Sequence, residues 1–232
     1  MLYMVQKSKL EIACFTIESA IIAQENGADR VELCDELEVG GTTPALETIQ
    51  KASPLLTIDL YVMIRPRGGN FTYSDEEFHQ MKLSIQEFKK QNVNGFVFGI
   101  LNKDNSINRS QNETLVNLAK PFSCTFHRAF DEVADVFQSL EEIIDCGFKT
   151  ILTSGQAKNA LAGIDQLSEL VKKANNRIII MPGGGLRSSN IEIIQEKTKA
   201  NWLHSSAITD KTHTANPNEI SALKSKLKLN LK

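Results

Sequence analysis

A short extended run followed by an amphipathic helix, repeated eight times, is the feature that most restricts how this chain can fold. The runs are Leu10–Phe15, Arg30–Cys34, Ile58–Ile64, Gly95–Ile100, Ser123–His127, Thr150–Thr153, Arg177–Met181 and Asn201–Ser205. Strands that alternate with helices pair in parallel, because a parallel neighbour is reached only through a long crossover. Eight such units in 232 residues, about 29 each, suit an α/β chain closed as a single (β/α)8 barrel of TIM type. A doubly wound open sheet is the alternative. No Gly-x-Gly-x-x-Gly follows the first run, so a nucleotide-cofactor motif is missing, and no second domain is needed to close a cleft. Residues 1–232 therefore read as one domain, with 225–232 as a candidate flexible tail.

The helices carry their own punctuation. Thr16 can cap a first helix that stops at Gly27, and Thr43-Pro44 places a proline at a first helical position. Ser74 with Glu77 matches a capping box, and Asn108 with Gln111 is a looser version. A helix over Val136–Asp145 ends before Gly147, and Ser189 with Glu192 is expected to open another after the glycine triplet Gly183–Gly185.

Charge and apolar patterning exclude several functions. A net charge of −2 without a Lys/Arg block argues against nucleic-acid binding. Lys224, Lys226, Lys228 and Lys232 read as the solvated face of a last helix and its tail. No apolar run reaches the roughly 18 residues of a membrane span, so no membrane partner is expected. The first residues, MLYMVQKSKLEIACF, lack a signal-peptide core and cleavage site. The four cysteines show no Cys-x-x-Cys spacing, so reduced thiols in the cytoplasm are the expectation.

In such a barrel the inward positions at strand C-terminal ends face the active-site mouth. Side chains alternate along a strand, which turns Glu11 and Ala13, Glu32 and Cys34, Met63 and Arg65, Thr125 and His127, and Trp202 and His204 inward. Two carboxylates, an arginine and two histidines replace the usual aliphatic filling. One reading is a purely structural ion-pair network of Glu11 and Glu32 with Arg65. The other is a site, in which His127 or Glu32 acts as general acid or base, Glu11 joins them, and Asp131 orients the histidine or an arginine.

Anion-holding residues are expected around the same mouth, Arg128 and His204 among them. The Gly183-Gly184-Gly185 loop follows the seventh run, where exposed amides ahead of a helix can bind phosphate, and Ser205 and Ser206 can add hydroxyls. Arg65 and Arg67, in Arg65-Pro-Arg-Gly-Gly, can grip carboxylate or phosphate, although Arg67 can equally cap nearby carbonyls. No lysine ends a strand facing inward, so Schiff-base chemistry is not expected.

These motifs together resemble the CutC family. The matching stretches are Val31-Glu-Leu-Cys34, Gly40-Gly-Thr-Thr-Pro44, Met63-Ile-Arg-Pro-Arg-Gly-Gly69, Phe98-Gly99, Thr125-Phe-His-Arg-Ala-Phe-Asp131, Leu152-Thr-Ser-Gly155, Met181-Pro-Gly-Gly-Gly185 and His204-Ser-Ser-Ala207. The resemblance implies a TIM-type barrel, a cytoplasmic location and an association with copper. Cu(I) favours soft ligands, and Cys34 with Met63 is the candidate pair. The alternation puts Cys14 on the opposite face with Leu10 and Ile12. Two functions stay open: a copper-homeostasis protein that binds Cu(I), or a lyase, isomerase or hydrolase acting on a small anionic metabolite. The expected partners are that small molecule, a copper ion or both, and further copies of the chain.

Overall fold

The computed structural model describes residues 5–227 and 229–231. A small antiparallel ribbon joins β1 (Val5–Lys7) to β10 (Leu229–Leu231). Between them run eight strands: β2 (Lys9–Cys14), β3 (Arg30–Leu33), β4 (Asp59–Met63), β5 (Gly95–Phe98), β6 (Ser123–Phe126), β7 (Thr150–Thr153), β8 (Ile179–Pro182) and β9 (Trp202–Ser205). The eight helices are α1 (Ile17–Glu25), α2 (Leu46–Ala52), α3 (Asp75–Phe88), α4 (Arg109–Ala119), α5 (Val136–Cys146), α6 (Ile164–Ala174), α7 (Ile191–Thr198) and α8 (Pro217–Lys226).

The sheet order is β8-β7-β6-β5-β4-β3-β2-β9, with every pair parallel. The last strand lies beside the first, and β8 and β9 meet at the remaining seam, so the sheet is a nearly closed TIM-type barrel. All eight expected runs are strands, with ends moved by one or two residues.

The core divides by strand parity. Leu10, Ile12, Cys14, Val31, Leu33, Leu60, Val62, Phe96 and Phe98 belong to the large cluster between strands and helices. The opposite positions form two small inner clusters, Cys34, Tyr61, Met63 and Val97 on one side and Leu152, Met181 and Trp202 on the other. Burial of each large aliphatic side chain stabilises the outer layer by about 1.5–3 kcal/mol. The inner layer carries much of the polarity.

Several expected caps are present. Thr16 accepts from the Ser19 amide at 3.0 Å, Ser74 and Glu77 form the full capping box, Asn108 accepts from the Gln111 amide at 3.1 Å, and Gly147 ends α5 with φ 94°. Two expected starts are different. Pro44 precedes the helix, which begins at Leu46 behind Ala45. The cause is Thr43, whose amide and hydroxyl are both bonded to the Arg65 backbone at 2.9 and 2.8 Å, holding this stretch extended beside the end of β4. Ser189 does not cap α7. Asn190 precedes it, accepting from the Arg187 amide and donating to Gly185 O, so a separate turn divides the glycines from the helix.

Residues 225 and 226 close α8, and residues 229–231 pair with β1, while Lys228 and Lys232 lie outside the described residues. Lys224 and Lys226 are not simply solvated. The first is paired with Asp29, and the second donates to Ser188 O at 2.8 Å. Among the described residues no helix is long and apolar enough to cross a membrane.

Candidate functional site

The strand C-terminal ends surround a cavity of about 210 Å3. Of the expected residues, Glu32, Cys34, Met63, Arg65, His127, Arg128, Gly184, Gly185, His204 and Ser205 line it. Glu11, Arg67, Asp131 and Gly183 do not line it, and each has a structural task around it.

Below the cavity, strand register sets a row of charges. Arg30, Glu11 and His204 are direct neighbours across β3, β2 and β9. Glu11 is fully buried, pairs with Arg30 Nε, and meets His204 Nδ1 at 2.7 Å. The Arg30 guanidinium lies between the rings of Tyr61 and Trp202, 4.1 Å from each centroid. The cation expected here was Arg65. Arg30 takes the place because it has the same strand parity as Glu32 and Cys34, a signal visible in the run itself.

Glu32 stands one step nearer the mouth. Its Oε2 is 3.7 Å from His204 Nε2, and its buried Oε1 has no hydrogen-bond partner. Burial pushes the Glu32 carboxyl up to about 7, against the pull of His204, and the Glu11 charge adds to the rise. Burial also opposes ionisation of Glu11, but Arg30 and His204 outweigh it and hold that carboxyl below its usual range. For His204, burial opposes protonation while the bond to Glu11 and the two carboxylate charges win, raising it. Donor atoms of Glu11, Glu32 and His204 come within 4.8 Å of one another, an oxygen and nitrogen set of the kind that divalent metals take.

His127 ends β6 on the other side of the cavity. Its Nδ1 accepts from the Ala129 amide at 3.3 Å, which assigns the ring proton to Nε2. Nε2 is buried and unpartnered. Burial, helped by the Arg65 charge, lowers the imidazole to about 3, so the ring is neutral at ordinary pH. Phe71 packs against it with centroids 4.8 Å apart. Gly99 leaves the necessary room, since a Cβ there would stand 2.8 Å from Nδ1.

Arg65 donates to the carbonyls of Val39, Gly41 and Gly69 at 2.8–2.9 Å, and its guanidinium also interacts with the Tyr73 hydroxyl. Arg67 points away, bonded to Glu77 and to the carbonyls of Gly68, Asn70 and Thr72. It staples its own loop, the carbonyl-capping alternative weighed from the sequence. Asp131 accepts from Arg128, Thr153, Ser154 and the Gln156 amide, and so fixes Arg128 rather than His127.

The glycine loop contributes unequally. The Gly183 amide donates to Thr153 O, whereas the amides of Gly184 and Gly185 make no hydrogen bond among the described residues. Gly184 has φ +91°, and a Cβ there would stand 3.3 Å from Arg128 Cζ. The nearby Ser188 amide and hydroxyl are already taken by Glu219 at 2.6 and 2.8 Å. Ser205 donates to Leu186 O and accepts from the Ala207 amide, and the unforeseen Arg187 donates to Leu186 O and Ile208 O. Arg187 sits in the turn after the glycines, where strand parity gives no guidance.

Cys34 and Met63 converge. A Cβ on Gly41 would lie 3.3 Å from Cys34 Sγ and 3.6 Å from Met63 Cε. Burial and then the Glu32 charge push the Cys34 thiol well above its usual range. Cys14 lies on the helix side, donating to Ile12 O at 3.5 Å.

The CutC family model matches residues 8–209. A family protein CutC from Parabacteroides distasonis is 46% identical over 202 residues, covering 87% of this chain and 83% of that protein. The human copper homeostasis protein cutC homolog is 41% identical over 198 residues, 85% of this chain and 72% of that protein. A crystal structure of Streptococcus agalactiae CutC superposes with a TM-score of 0.82 at 34% identity, covering 86% of this chain and 98% of that one.

Proposed function

This chain belongs to the CutC family, and on that premise we propose that it takes part in copper homeostasis, the role its human relative's name carries, and works through its barrel mouth. The mouth binds a small anionic molecule and performs acid–base chemistry on it. The observation that carries this reading is a pair of buried polar atoms around one cavity that meet no nitrogen or oxygen partner among the described residues: Glu32 Oε1 and His127 Nε2. Each such atom costs about 1–3 kcal/mol when left unpaired, and a polar ligand removes that cost. Arg65, Arg128 and Arg187, with the free amides of Gly184 and Gly185, favour a negative one.

The roles follow from protonation. Glu32, titrating near 7, exchanges a proton readily at ordinary pH. His127 is a neutral donor through Nε2 and not the base. Four unpaired, buried thiols agree with a reducing cytoplasm.

The packing of Cys34 and Met63 in one inner cluster beside Gly41 favours a second reading, Cu(I) held at the mouth wall. The donors fit only in part. They supply one thiol, held protonated by burial and Glu32, and one thioether, while Cys14 faces away. We therefore expect Cu(I) to be lost to a competing chelator. A one-to-one complex that resists the chelator and vanishes in Cys34→Ser would establish the copper site instead.

The anion is tested by melting curves at constant ionic strength with and without millimolar phosphate. Wild type gains stability by mass action, and Gly184→Val, which obstructs the approach beside Arg128, loses that gain. Equal shifts in both proteins, or no shift in wild type, would refute anion binding at the glycine loop.

A further inference from the structure

We infer that the mouth catalyses proton transfer at a carbon next to a carbonyl, on a small hydroxy-carbonyl compound carrying a phosphate or carboxylate. The inference rests on the anion-binding reading above and deepens it by naming the reaction and the substrate class.

The cavity offers three kinds of group, each placed for one part of such a compound. The outer rim holds the free Gly184 and Gly185 amides and the Arg128 guanidinium, which Asp131 and Ser154 fix at 2.8 and 3.1 Å. That end takes the anion. The inner end holds two unpaired atoms of opposite kind. Among the described residues Glu32 Oε1 is a carboxylate oxygen that receives no N–H or O–H, only the weak Cys34 thiol lying beside the carboxylate, and His127 Nε2–H is a donor with no acceptor. A lone donor calls for an oxygen, and a lone carboxylate oxygen calls for a proton. A carbonyl with an adjacent C–H supplies both.

The hydrogen-bond pattern also separates this chemistry from its competitors. A hydrolase needs a nucleophile or an activated water. Of the two serines that line the cavity, Ser205 Oγ already donates to Leu186 O and accepts from the Ala207 amide, while Ser206 Oγ accepts from the Ile208 amide at 3.5 Å and has no imidazole or carboxylate bonded to it among the described residues. His127 Nδ1 is occupied by the Ala129 amide, so the ring cannot take a proton there as a base. It can hold a developing oxyanion, which is the task of a neutral imidazole in enolisation.

In the step, the Glu32 carboxylate takes the proton from the carbon beside the carbonyl. The C–H electron pair becomes the carbon–carbon double bond, and the carbonyl π pair moves to oxygen, where His127 Nε2–H donates to it. Return of the proton to the same carbon inverts or exchanges that centre. Return to the neighbouring carbon, with His127 giving its proton to one oxygen and receiving the other hydroxyl's, interconverts aldehyde and ketone. Glu32 and His127 end as they began, and nothing is oxidised or reduced overall.

The test follows solvent exchange by NMR in D2O, with dihydroxyacetone phosphate and five- and six-carbon aldose and ketose phosphates as probes. Binding of inorganic phosphate and of 2-phosphoglycolate, a planar imitation of an enediolate, is measured alongside by calorimetry. Wild type should exchange the α-hydrogen of at least one probe 100-fold above buffer and bind 2-phosphoglycolate more tightly than phosphate. Glu32→Gln and His127→Phe should each lose exchange at least 100-fold while still binding phosphate. Should those variants fail to fold, Arg128→Gln, at the half-exposed rim, should raise KM about 10-fold with kcat little changed. Exchange that survives in Glu32→Gln, or phosphate binding in wild type without exchange of any probe, would overturn the proton-transfer inference and leave the anion site standing. Binding of neither phosphate nor 2-phosphoglycolate would remove both.

Discussion

Glu32 stabilises the barrel only while it holds its proton, and that makes it the residue whose chemistry can be read most simply from outside. Its folded carboxyl titrates near 7 against an ordinary 4.5. Below about 4.5 both folded and unfolded chains are protonated, and the contribution is fully present. Between 4.5 and 7 the unfolded chain has released its proton and the folded one has not, so stability falls as pH rises, levelling off above about 7. The difference is worth about 3 kcal/mol, with the attraction of His204 already contained in the folded value. Glu32→Gln is neutral throughout, so its urea midpoint should match wild type at pH 4 and exceed it at pH 8. Equal loss at both values would mean the side chain is simply a packed carboxylate. Glu32, His127 and Cys34 were all legible from alternation alone. Arg30 starts its run, far from the strand's C-terminal end, although parity places it with Glu32.

At the scale of elements, the loops between strands decide which polar groups reach the cavity. Asp131 ties the short helical turn after β6 to the end of β7 through Thr153, Ser154 and the Gln156 amide, and it fixes Arg128 in the same act. Asp131→Ala leaves those donors without an acceptor, and we expect a loss of about 2–4 kcal/mol in urea unfolding together with weaker phosphate binding. Unchanged stability would show that water replaces the carboxylate freely. Loop geometry was the least legible level. Capping pairs close in sequence, such as Ser74 with Glu77, could be read directly. Pro44 and Ser189 are displaced from their expected helix starts by partners far away or in the turn itself, Arg65 for the first and the Asn190 side chain for the second. The fate of Arg67, spent on its own loop and on Glu77, depends likewise on where α3 docks.

For the whole molecule, parity divides labour: one face of each strand packs against helices, and the other builds the floor and wall of a single chamber. Eight runs of the right spacing made that architecture readable before any contact was known, whereas the balance of ligands was not. Soft donors at the wall are few, and polar atoms without partners converge on the cavity. The central claim is thus that one small anion sits between the glycine loop and the inner acid–base pair. The direct measurement is a titration of 15N-labelled protein with 2-phosphoglycolate. Saturable shifts confined to the Gly184 and Gly185 amides, the Arg128 guanidinium and the His127 imidazole nitrogens are the result this account predicts. No saturable change at those nuclei, or changes centred on another surface, would contradict it.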